Sequence, residues 1–164
     1  MFIKMDNLKK ILEVLNDLIR INKDREAGYS KISRDLTPAE HNLRSAFERK
    51  AQESRNNISQ LEHIAEELNE QLPGDYSEEI DGHEKDRFGR IYRMWSEVKD
   101  FFTGKDRSSV LKSCSDGEEK AKACYENALN EVELPRDIYS LIDAQKTSLD
   151  ASKREITELA KLTN

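Results

Sequence analysis

Long apolar stripes at helical spacing recur along this chain, and near the middle of each one the stripe gives way to polar residues. In the first stripe, Asn22 and Glu26 fall between Leu15, Leu18 and Tyr29. Ser54 stands inside the second, and Glu118 lies between Leu111 and Tyr125 in the third. Gln145, Ser148 and Ser152 lie between Leu141 and Ile156 in the fourth. A carboxylate at a core position is costly unless a cation, a hydrogen-bond network or a proton compensates it. The pattern predicts an all-α fold, an antiparallel four-helix bundle with a polar centre, which is where such bundles build metal sites.

The boundaries follow from caps and breakers. The first helix is expected over 7–34, with Asp6 as N-cap. Thr37-Pro38-Ala39-Glu40 is a capping box with proline in the first helical position, so the second helix is expected over 38–72, where Pro73-Gly74 stops it. The short turn between these two helices makes them antiparallel neighbours. A polar link follows, too long for a tight turn. Phe88, Ile91, Tyr92, Trp95 and Val98 then form an amphipathic stripe over 86–102, expected as an extra helix in a crossover between helices two and three. Gly104 breaks it. The third helix is expected over 108–130, and Pro135 opens the fourth over 136–162. No strand alternation occurs. Residues 1–164 read as a single domain.

Charged residues make up 37% of the chain and hydrophobic ones 36%, a balance that favours solvent-washed helices. The formal net charge of -6 argues against a generic nucleic-acid binder. No apolar run approaches the ~18 residues of a membrane span, and the N-terminus lacks the pattern of a secretory signal. On one helix Cys114 and Cys124 would lie about 15 Å apart, too far for a disulfide. Two free thiols suit a reducing compartment, so the expected localisation is cytoplasmic. His41, His63 and His83 share no ligand spacing and read as surface residues. Phosphate loops, nucleophile elbows and paired-cysteine zinc motifs are absent from the sequence.

A carboxylate-bridged metal bundle takes one Glu from each of two helices and a Glu-x-x-His from each of the other two. Glu26 and Glu118 suit the lone positions here. The remaining pairs are Glu53-x-x-Asn56 and Gln145-x-x-Ser148, so both histidines are missing and one carboxylate has become a carboxamide. Two readings stay open. Glu26, Glu53 and Glu118 could hold iron or manganese, weakly and with little selectivity. Alternatively, Asn22, Glu26, Ser54, Glu118, Gln145 and Ser148 form a buried hydrogen-bond network, joined by Tyr29 or Lys50. Carboxylates left without a cation would then include one with a raised pKa.

Several runs carry a resemblance. Lys23-Asp24-Arg25-Glu26-Ala27-Gly28-Tyr29 and Ala51-Gln52-Glu53 resemble the first- and second-helix signatures of an uncharacterised bacterial family in the ferritin-like superfamily. Trp95-Ser96-Glu97-Val98-Lys99 and Phe102-Thr103-Gly104 are similar to its crossover region. Cys114-Ser115-Asp116-Gly117-Glu118-Glu119, then Tyr125 and Ala128-Leu129, resemble its third helix, and Gln145 matches a glutamine on its last. The likeness extends from about Leu15 to Leu159. It implies a ferritin-like bundle with a crossover helix and a degenerate di-iron centre, and it implies no established reaction.

The expected function is therefore non-enzymatic: a helical scaffold or stress-associated factor. No catalytic residue, no cofactor-binding residue and no resident cofactor is expected. A metal-binding protein of the iron or manganese type is the first alternative, and a protein-interaction module is the second. A homodimer is the assembly left open, with neither nucleic acid nor membrane as partner.

Overall fold

The computed structural model describes residues 3–72 and 107–162. Over these residues the fold is all-helical: α1 (Met5–Asp35), a 3-10 turn (Pro38–Glu40), α2 (His41–Asn69), α3 (Arg107–Glu131) and α4 (Arg136–Leu162). The crossover helix expected over 86–102, with Phe88 and Trp95, lies outside the described residues, as does His83.

Local chemistry explains most of the boundaries. α1 begins at Met5, so Asp6 is no N-cap but sits within the first turn. Its charge there complements the exposed N–H groups of the helix terminus. The capping pair between α1 and α2 is made, with the Thr37 backbone N–H donating to Glu40 Oε1 at 3.4 Å. It caps a 3-10 turn rather than α2 itself, which starts three residues later than expected. α2 ends at Asn69, short of Leu72, because its last turn tightens: Gln71 N–H donates to the Leu68 carbonyl and Leu72 N–H to that of Asn69. α4 starts directly after Pro135, whose carbonyl accepts from Tyr139 N–H at 2.9 Å.

α1 packs along α2, and α3 along α4. The two hairpins meet where α1 faces α3 and α2 faces α4. Side-chain pairs give every direction. Arg25 meets Glu118 while Asn7, near the start of α1, meets Glu133 just past the end of α3, so α1 and α3 are antiparallel. Ser33 with Glu48 and Asn22 with Asn57 make α1 and α2 antiparallel. Lys153 with Glu119 and Lys146 with Glu126 do the same for α3 and α4. Consequently α2 and α3 run parallel. Arg107 at the start of α3 bonds Glu40 at the start of α2, a charge-assisted contact that lowers the Glu40 pKa. The chain therefore leaves α2 at one end of the bundle and enters α3 at the other.

The interior has two apolar clusters. One gathers Leu8, Ile11, Leu12, Leu15 and Leu18 with Leu61, Ala65, Ala121, Ala128 and Ile142. The other gathers Tyr29, Ile32, Phe47, Ala51, Leu111, Cys114 and Ile156. In it, Tyr29 and Phe47 stack with ring centroids 5.6 Å apart. Each fully buried Leu, Ile or Phe contributes about 1.5–3 kcal/mol. Between the clusters lies a band of buried polar side chains: Asn22, Arg25, Lys50, Ser54, Asn57, Glu118, Gln145 and Ser152.

Candidate functional site

The band is organised around Arg25. Ile11, Leu18, Arg25 and Ile32 repeat every seven residues on the inner face of α1, and none is more than 1% exposed. The guanidinium grips Glu118 of α3 with both arms: Nε donates to Oε1 at 2.7 Å and Nη2 to Oε2 at 2.9 Å. Nη1 donates to Asn22 Oδ1 at 2.9 Å. Glu53 of α2 places Oε1 3.6 Å from Nη2. The Tyr29 ring covers one face, 5.9 Å from the guanidinium carbon. Burial alone would lower the Arg25 pKa, but the Glu118 carboxylate outweighs it and holds the side chain charged.

From Asn22 the network continues through every helix. Asn22 Nδ2 donates to the Leu18 carbonyl and to Tyr125 Oη, each at 2.8 Å. Asn57 Nδ2 donates to Asn22 Oδ1 at 3.1 Å. The Tyr125 hydroxyl donates to Gln145 Oε1 at 2.6 Å, and Gln145 Nε2 donates to Gln60 Oε1 at 2.9 Å. On the α2–α4 side, Lys50 Nζ donates to Ser152 Oγ at 3.0 Å and to Glu155 Oε2 at 3.2 Å. The Ser54 hydroxyl donates back to the Lys50 carbonyl at 2.9 Å, within its own helix.

The sequence-predicted residues divide. Asn22, Glu118 and Gln145 are buried members of the network, and Ser54 is buried beside it. Ser148 is half-buried at the edge. Glu53 reaches the centre from a half-exposed position. Glu26 does not enter. It faces α2 on the outside, where Arg55 Nη1 donates to its Oε1 at 3.3 Å, and it keeps 34% of its side-chain exposure. Residues 25 and 26 stand three and four positions after Asn22, so periodicity alone admits either. Arg25 wins because Glu118 is fully buried and the guanidinium both offsets its charge and donates to both its oxygens. The heptad Leu18–Arg25–Ile32 is the signal that would have found it. Lys50 is likewise buried on the inner face of α2, one turn before Ser54, but its heptad neighbours are Leu43 and Asn57.

The three candidate metal ligands therefore do not converge: Glu26 points to Arg55, and Arg25 stands between Glu53 and Glu118. Among the described residues, no group of three or more His, Cys, Asp or Glu side chains is placed to hold a metal ion. Both Glu118 oxygens accept from Arg25 and Glu26 Oε1 accepts from Arg55, while Glu53 Oε1 faces the guanidinium without a hydrogen bond. His41 and His63 are exposed, and His63 pairs with Glu67. Neither thiol is poised to react. Burial pushes Cys114 up, with Glu118 adding to it, and burial followed by the Asp17 charge pushes Cys124 up to about 12. Both cysteines are free. Burial, and for Tyr29 also Glu118, raises the phenols of Tyr29 and Tyr125, so both stay protonated at neutral pH. Burial raises the Glu53 pKa, outweighing the attraction of Arg25. Glu53 was not among the carboxylates of the expected network, and its buried Oε1 accepts no hydrogen bond.

Fold and site together define an all-helical protein whose hairpins are joined by a buried ionic layer. The chain belongs to the family described as a domain of unknown function (DUF2383), whose model matches residues 10–131. That span contains Arg25, Glu53 and Glu118. No curated protein matches the chain. Among the described residues, no helix is long and apolar enough to cross a membrane.

Proposed function

We infer that this is a non-enzymatic, ferritin-like bundle protein of the bacterial cytoplasm, acting as a helical scaffold or stress-associated factor without nucleic acid as a partner. The parallel course of α2 and α3 supports the ferritin-like order, because that order needs a connection between opposite ends of the bundle. The observation that carries the reading is the bidentate Arg25–Glu118 pair. A centre whose buried Glu118 carboxylate is engaged at both oxygens by a guanidinium ties α1 to α3, which supports a structural role. Its thiols and phenols are protonated, which removes the nearby nucleophiles.

The alternative, a carboxylate-bridged iron or manganese protein using Glu26, Glu53 and Glu118, has weaker support because Arg25 separates the last two and Glu26 faces outward. Elemental analysis of protein purified without chelator tests the choice. The expected result is no stoichiometric iron or manganese, together with a large loss of stability in Glu118→Ala. Stoichiometric metal that disappears in Glu118→Ala would overturn the scaffold reading.

A further inference from the structure

Four oxygens from three helices surround the Arg25 guanidinium. Both Glu118 oxygens and Asn22 Oδ1 lie at 2.7–2.9 Å from its nitrogens, and Glu53 Oε1 lies at 3.6 Å. Arg25, Asn22 and Glu118 are fully buried. Glu53 Oε1 is itself buried and accepts no hydrogen bond. We propose that these oxygens form a cation cage in which the protein's own Arg25 is the resident ion, and that removing the guanidinium exposes a site for a hard divalent cation.

The chemistry of the donors gives the ligand class. Two carboxylates and a carboxamide oxygen are hard, and Mn2+ and Mg2+ take such donors, completing their shells with water. The charge count points the same way. One guanidinium lies between the two carboxylates, with Lys50 adding a weaker attraction on Glu53, whereas a divalent ion between them would carry charge enough for both. A guanidinium also differs from a metal in how it bonds. It donates protons in one plane, so it satisfies Glu118 with two parallel bonds and reaches Asn22 with the third nitrogen. In the intact chain the guanidinium lies among these oxygens, so an outside cation would have to displace it.

The proposal rests on the centre having no resident metal, and a separate measurement decides that point, namely the elemental analysis of the wild type. The test here is Mn2+ titration of metal-free wild type, Arg25→Ala, Arg25→Gln, and Arg25→Ala combined with Glu118→Gln. Binding is read by the loss of the free Mn2+ electron paramagnetic resonance signal, and folding by circular dichroism. Arg25→Ala is expected to take up about one Mn2+ per chain at least about tenfold more tightly than wild type, with a matching rise in Tm. Arg25→Gln, which keeps polar bulk, carries the same expectation if Arg25→Ala is unfolded. The gain should vanish in the combined variant. Folded Arg25 variants that bind Mn2+ no better than wild type would overturn the proposal, as would a gain that survives Glu118→Gln.

Discussion

Two buried cations hold the middle of this bundle, and they are held differently. Arg25 is sealed, with 0% side-chain exposure and a partner of equal burial on a helix 93 residues away. Lys50 is 3% exposed, but its charge runs outward to Glu155, which keeps 40% exposure at the rim. Lys50 buries its stem and presents its ammonium at the edge of water. A planar fork with a complete set of acceptors fixes an orientation, while a single ammonium on a flexible stem tolerates several. The Arg25 side of the layer therefore specifies how α1 and α3 align, and the Lys50 side closes the seam between α2 and α4.

The sharpest way to break this contrast is to remove the sealed charge. Arg25→Met should cost about 3–5 kcal/mol in urea unfolding, because Glu118 is left buried and unpaired. Adding Glu118→Leu should recover most of that loss, since an apolar pair of similar volume often matches a buried ion pair. A double variant as unstable as the single would show that the pair does more than compensate its own charges. Lys50→Met should cost less, about 1–2 kcal/mol, because Glu155 turns to solvent and only the Ser152 contacts are lost. Equal losses at Arg25 and Lys50 would erase the distinction.

Two smaller effects refine it. Glu53 is raised above its usual pKa of 4.5 by burial, against the pull of Arg25 and Lys50 and with repulsion from Glu118. A folded-state pKa above the unfolded one means that the folded chain binds more protons in the window above pH 4.5. This contribution to stability is present at low pH and is lost as pH rises through the folded pKa. Glu53→Gln should remove that slope from the stability–pH curve, as measured by denaturant unfolding at a series of pH values. Glu26→Ala, which breaks only the half-exposed contact with Arg55, should cost under about 1 kcal/mol. A larger loss would mean that Glu26 contributes to the centre after all.

The helical character of the described residues and the two hairpins were legible in the sequence because long apolar stripes, a capping box and Pro135 mark helices. Glu118 and Gln145 were legible as well, Glu118 as the lone polar residue within an apolar stripe and Gln145 as the first of three polar residues that interrupt another. Glu26 was misplaced for a physical reason. A 3.6-residue period cannot separate neighbours at i+3 and i+4, and a search for metal carboxylates favours the acid over the adjacent base. Lys50 entered the expected network as an alternative to Tyr29, whereas Arg25 was passed over as an inward anchor because long cations at helix surfaces are the common case. The heptad places Arg25 on the inner face, but that Glu118 of α3 stands opposite it depends on tertiary register and not on local pattern.

The parallel course of α2 and α3 has a kinetic consequence. Each hairpin closes through contacts near in sequence, whereas the bonds uniting them span about half the chain or more, so loop-closure entropy delays their formation. Substitutions at the ionic layer should then accelerate unfolding while leaving the refolding limb of a chevron plot nearly unchanged. Arg25 and Glu118 would act as a latch that engages last and governs how long the native molecule persists.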